Sequence, residues 1–174
     1  MELDKQGAAI GIGGVKYEIS QISLVVRDLD KTMKSYHKVF GWGPWTVFEH
    51  VPPMHHDTEL RDKKVHYSLL GAETMVGSVN FELLQPLEGP SLWQEFLDKH
   101  GEGIASIAVM FKTREESEKV KAAFKELGIE VIMRARIGDH IEYYYLDTEP
   151  MLKCSIESGS GHAIDFVKPK YVYP

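Results

Sequence analysis

Cysteine is almost missing from this chain. The single one, Cys154, has no partner for an internal disulfide, so a reducing, cytoplasmic location is expected. Long apolar runs are missing as well: none approaches the roughly 20 residues that span a bilayer. The opening MELDKQGAAIGIGG carries acids where a secretion signal carries bases, so no membrane or export role is expected. Cations are the minority charge, 20 Lys and Arg against 26 Asp and Glu. The net charge of -6 argues against a nucleic-acid or anionic-membrane partner. What is present is ordinary for a globular protein, 43% apolar and 26% charged residues. At 174 residues the chain is one domain, or two small halves sharing a core.

Periodicity supports the two halves. The run QISLVV is strand-like, and Leu29, Met33, Tyr36 and Phe40 follow at helical spacing, with Asp28 or Asp30 to cap and Gly41 to stop. Three strand-like runs come next: PWTVFEHV, KVHYSLLG and GSVNFELLQP. The order then recurs. GIASIAVMF is a strand, and a helix opens with the capping box Thr113–Glu116 and carries a stripe of Val120, Ala123, Phe124 and Leu127 before Gly128. IEVIMRAR, HIEYYYLDT and MLKCSIES complete the second set. SQISLVV aligns with ASIAVMF, setting Gln21 over Ser106, as an internal duplication would. The divisions are an N-terminal segment (1–16), a βαβββ module (17–86), a linker with a short helix (87–102), a second module (103–158) and a C-terminal arm (159–174). The arm is expected to lie extended on the surface or on a partner.

Alternation along strands then places the chemistry. Asn80, Glu82 and Leu84 share a face, and so do Lys153, Ser155 and Glu157. Each half thus supplies a glutamate late in its last strand and a polar residue, Gln21 or Ser106, early in its first. If the first strands pair edge to edge, these four side chains converge inside one curved sheet; the alternative is a face that meets water. Two glutamates in a dry cavity raise each other's proton affinity, which suits acid–base work.

The runs ISQISLVVRDLDKTMKSYHKVFGW, FELLQPLEG, GEGIASIAVMF and YYYLDTEP resemble the vicinal oxygen chelate superfamily of glyoxalases, bleomycin-resistance proteins and dioxygenases, closest to its methylmalonyl-CoA epimerase and glyoxalase I branch. The resemblance spans about residues 18–158. It implies an α+β fold of two tandem βαβββ modules, an eight-stranded U-shaped mixed sheet with helices outside, and a tendency to form homodimers. It also implies metal ligands at four positions, of which Gln21, Glu82 and Glu157 match types the family uses. Ser106 departs from it, standing where the family carries histidine. An oxygen-rich Gln–Glu–Glu set would favour Mg, Mn or Co over Zn, and the metal-free case stays open.

Several residues are weighed beside these. His66 and His140 begin inner strands and are candidates to compensate for Ser106. His55–His56 sits in a Pro-bearing loop that lacks HExxH spacing, and that loop has the length of a lid. Of Tyr143, Tyr144 and Tyr145, at least one hydroxyl should enter the cavity, with Tyr144 the candidate. Trp42, Trp45, Phe48 and Met54 suggest an aromatic or apolar small-molecule ligand, and no cluster of bases marks a phosphate grip at the mouth. The leading expectation is a racemase or epimerase acting α to a carbonyl, with Glu157 and Glu82 as proton carriers and Gln21 with Ser106, His66, His140 or Tyr144 contacting substrate. A non-catalytic binding protein of the same fold is the alternative, and a ring-cleaving dioxygenase ranks last.

Overall fold

Both modules form in the computed structural model, which describes residues 11–174. The first comprises β1 (Gln21–Val25), α1 (Leu29–Phe40) and β2 (Trp45–His50), followed by an inserted hairpin, β3 (His55–Leu60) and β4 (Lys63–Lys64). It ends with β5 (Ser68–Val76) and β6 (Val79–Glu88). A linking helix, α2 (Leu92–His100), leads to β7 (Gly103–Phe111), α3 (Arg114–Glu126), β8 (Val131–Ile137) and β9 (Ile141–Leu146). A short α4 (Glu149–Leu152) precedes β10 (Ser155–Ser160), and α5 (Ala163–Phe166) and β11 (Tyr171–Tyr173) close the chain. Among the described residues no helix is long and apolar enough to cross a membrane.

All strands join one mixed sheet, ordered β11-β2-β5-β6-β1-β7-β10-β9-β8-β3-β4. The eight expected strands are its centre, and three more extend its ends. The Pro-bearing loop HVPPMHHDTEL (50–60), read from sequence as a possible lid, instead carries β3, which is antiparallel to β8 and to the short β4. The C-terminal arm lies on its own chain, with β11 antiparallel to β2.

The caps are local and do what their residue types dictate. Asp28 accepts from the Lys31 amide at 2.9 Å to start α1, and Gly41 ends it with a left-handed φ of 71° that a side chain would resist. Thr113 accepts from the Glu116 amide at 3.2 Å to start α3. The buried face of α1, Leu29 and Met33, packs on the convex side of the sheet with Leu24, Trp45, Val47 and Leu83. Phe40 and Leu127, expected in the helical stripes, are exposed at the helix ends. The concave side is filled at one end by Trp93 and Leu97 of α2, against Phe48, Leu69, Met133 and Tyr143.

One connection forces the curl. β2 and β3 stand at opposite ends of the sheet, which if flat would part them by about 38 Å, at about 4.8 Å per strand. Only Val51–Met54 joins them, and a stretch that short spans at most roughly 17 Å. The sheet therefore bends until its ends nearly meet, with the His50 and His55 rings 6.2 Å apart between centroids.

Candidate active site

Register explains which polar side chains meet inside the bend. Ser23 of β1 is opposite Glu82 of β6 and Ser106 of β7; one row away, Ala108 of β7 is opposite Gln21 and Glu157. The two modules therefore deliver Glu82 and Glu157 to one concave surface at equivalent positions. They line a small cavity of about 60 Å³ together with Gln21, His50, Glu73 and Tyr145, between apolar walls that include Leu69, Leu84, Trp93 and Ile137. That space is on the order of two water molecules. Among the described residues no lysine or arginine lines it.

Each carboxylate has one oxygen fixed. Ser23 Oγ donates to Glu82 Oε2 at 2.7 Å, and Asn80 Nδ2 donates to Glu73 Oε2 at 2.7 Å. Glu157 is held from further away. The Trp93 indole N–H donates to Tyr145 Oη at 3.1 Å, and that hydroxyl donates to Glu157 Oε2 at 2.7 Å. Burial pushes the Glu157 carboxyl up to about 7, against the hydrogen bond from Tyr145. Glu82 is raised well above the usual carboxylate range, by burial first and then by the charges of Glu157 and Glu73. Burial raises Glu73 also, partly offset by Asn80. Both carboxyls therefore hold their protons more tightly than an ordinary carboxylate, and they titrate as an interacting pair.

The other sequence candidates are dispersed. Ser106 is fully buried beside Ser23, its hydroxyl unpartnered, but it does not line the cavity. His66 is exposed, because the chain enters β5 only at Ser68. His140 is exposed at the β8–β9 turn and stacks on Phe166 at 4.8 Å. Tyr144 points the opposite way from its neighbours, donating to the Ser117 carbonyl of α3 at 3.1 Å. The alternation that carries it outward carries Tyr143 and Tyr145 inward. Trp42 and Trp45 belong to the packing around α1, Phe48 fills the core, and Met54 is exposed.

Two cavity residues, Glu73 and His50, escaped the sequence, and His55, weighed there only within its loop, stands beside them. Glu73 lies directly opposite Glu82 in the β5–β6 ladder, on the face of Leu69 and Gly71, so alternation along LLGAET held the signal. His50 ends β2 and lines the cavity. His55 follows the turn and shares a hydrogen bond with Tyr143 Oη at 2.7 Å. Burial holds His50 down to about 3 and His55 to about 4, so both rings are uncharged at neutral pH. Bases do gather outside the mouth. Lys112, Arg114 and Arg136 line a groove of about 580 Å³ that meets the cavity at Met110 and His162, opposed there by Asp139, Glu142 and Asp165.

Residues 20–145 match the family model described as the glyoxalase/bleomycin resistance protein/dioxygenase superfamily. The chain belongs to this superfamily. Curated protein sequences give no match. Solved structures with the superfamily's fold are similar at low identity. Methylmalonyl-CoA epimerase from Mycobacterium tuberculosis is 21% identical with a TM-score of 0.56, covering 83% of this chain and 87% of that one. A hypothetical protein from Bacillus halodurans C-125 is 20% identical with a TM-score of 0.61, covering 84% and 96%. A Streptomyces coelicolor methylmalonyl-CoA epimerase in complex with 2-nitronate-propionyl-CoA is 21% identical with a TM-score of 0.54, covering 83% and 97%.

The four positions at which the resemblance implies metal ligands are Gln21, Glu82, Ser106 and Glu157, and their fit to a metal can be judged from their surroundings. Among the described residues no three His, Cys, Asp or Glu side chains are spaced to hold an ion. Ser23 and Tyr145 occupy one oxygen of each glutamate, and Ser106 presents a hydroxyl where the superfamily has an imidazole. These residues do not form a metal-ligand set.

Proposed function

We propose that this protein is an isomerase of the racemase or epimerase type, moving a proton at a carbon α to a carbonyl through an enolate. One observation carries the reading: two buried glutamates from equivalent strands of the two modules line one small cavity, and burial raises the proton affinity of both. Glu157, as carboxylate, takes the α-proton; Glu82, as carboxylic acid, returns one to the other face, and the two exchange roles in the reverse direction. Gln21, whose side-chain amide lines the cavity without a hydrogen bond, donates to the carbonyl oxygen as it becomes an enolate. No metal is needed in this scheme.

The epimerases among the structural relatives support the reading at the level of fold, and the carboxylate pair supports it at the level of chemistry. The small volume limits what enters to a carbonyl and its α-carbon, and the absence of lysine and arginine favours an uncharged reacting group with an apolar body against Leu69, Leu84 and Ile137. The test is uptake of deuterium from D2O into a panel of chiral ketones and thioesters, followed by NMR. Glu157→Gln and Glu82→Gln are each expected to slow exchange by about 100-fold or more. Unchanged exchange in both variants would reject the scheme. A second reading, a small-molecule binding protein without catalysis, is favoured by the wall of Trp93, Tyr143 and Tyr145; a ligand that binds tightly and never exchanges its C–H would select it.

A further inference from the structure

The isomerase scheme needs a strong donor at the enolate oxygen, and Gln21 alone is a modest one. His50 is the outstanding unused group in the cavity. It lies at the end of β2, where the bend of the sheet presses it against His55 of β3, Phe48 of its own strand and Gly71 of β5. It is buried, it lines the cavity, and among the described residues neither ring nitrogen has a hydrogen-bond partner. A buried imidazole left unpaired on both sides costs stability that a ligand would recover. The two nitrogens differ. Nδ1 is wholly enclosed. An orphaned lone pair is tolerated there better than an orphaned N–H, which puts the proton on Nε2. Nε2 flanks the open space over Gly71: a Cβ built on that glycine would lie 3.5 Å from it and 3.8 Å from Glu82 Oε1. The absent side chain of Gly71 thus leaves room for one ligand atom between the imidazole and the acid.

Resting on the isomerase reading, we propose that His50 is a catalytic residue of this site: its Nε2–H donates to the substrate's carbonyl oxygen over Gly71 while Glu157 removes the α-proton. The proton of His50 stays on the ring throughout. The C–H electron pair moves into the enolate, whose oxygen gains charge against two neutral donors, His50 and Gln21. An uncharged imidazole suits the task because it stabilises the oxyanion without protonating it, and because an imidazolium here would bind the carboxylates instead. The titratable groups that share the cavity with it are Glu73, Glu82, Glu157, Tyr143, Tyr145 and His162, with His55 of β3 beside its ring, and burial keeps the ring neutral among them. His50 takes up, from a different strand, the donor role that Ser106 cannot fill.

The experiment uses the full chain and the nitronate anion of nitroethane, a small enolate mimic, as the probe. Binding is expected to move the His50 Nε2 proton resonance downfield, with the nitrogen shifts of a neutral ring. His50→Phe, which keeps the ring shape, should weaken nitronate binding about tenfold or more, and His50→Gln, which restores a donor near Nε2, should recover most of it. Gly71→Ala should weaken it comparably while leaving the fold intact, since its methyl makes only ordinary contacts. Binding unchanged in His50→Phe, an imidazolium signal in the complex, or no nitronate binding by the wild type would each overturn the proposal. The two readings fail separately. Glu157→Gln should bind nitronate at least as tightly as the wild type, having lost a like charge, while losing deuterium exchange, and a wild type that binds it through His50 yet exchanges no substrate proton would sink the isomerase and leave the donor standing.

Discussion

Glu157 reaches its perturbed state through side chains spread over three elements. The curl of the sheet buries it and Glu73 of β5 adds a like charge, both raising its proton affinity, while Tyr145 of β9, itself held by Trp93 of α2, opposes them. Its proton affinity has a consequence for stability. The unfolded carboxyl ionises near 4.5 and the folded one near 7, so between those values the folded state holds a proton that the unfolded state has released. Stability contributed by this group is therefore present below 4.5 and lost as pH rises through 7, at a cost of about 3 kcal/mol. Glu157→Gln should consequently stabilise the protein more at pH 8 than at pH 5, by about that amount. Urea denaturation at both values checks this, and an equal effect at both would contradict it. His50 and His55 act the other way, losing stability as pH falls from 6.5 through about 4 and about 3. At this scale the sequence was informative wherever alternation sufficed. Gln21, Glu82 and Glu157 were each placed on a strand face for that reason. Tyr144 was misplaced by choosing the wrong member of an alternating triplet, and His50 stayed invisible because its neighbours come from β3 and β5.

The helices and inner strands were legible at the level of elements because their signals are local. Asp28, Gly41 and Thr113 act within four residues of their own position, so removing one has a bounded effect: Thr113→Ala should cost about 1 kcal/mol in chemical denaturation with the fold retained. β3, β4 and β11 were not legible. Each is a strand only because a distant edge receives it, and His55–Leu60, with its Asp57 at positive φ and its charged residues, has little strand character of its own. β11 shields the edge of β2 through Tyr171–Tyr173 and the Lys170 amide on the Val47 carbonyl at 2.7 Å. Removing residues 171–174 should therefore speed amide exchange along β2 while leaving β9 and β10 unchanged. Equal protection of β2 with and without the tail would show that β11 is not its cover.

Taken whole, the molecule is closed by a strand that leaves the first module and joins the second. Because β3 departs from β2 and pairs with β8, neither module completes its sheet alone. The two halves are expected to unfold together, as one calorimetric transition whose van't Hoff and measured enthalpies agree; two resolved transitions would reject this coupling. The same closure shrinks the open U that the resemblance implies to a cavity of about 60 Å³. The sequence by itself pointed to the duplication, the helices and the strand face on which each of Gln21, Glu82 and Glu157 lies, because caps and two-residue alternation depend only on near neighbours; that these faces join into one surface follows from β1 pairing with β7. Tertiary structure alone decided that Glu73 and His50 join them, that Ser106, His66, His140 and Tyr144 do not, and how little space is left. Those outcomes depend on which strand edges meet, and that is set by the Val51–Met54 turn bridging two ends of a bent sheet, a constraint that no local pattern records.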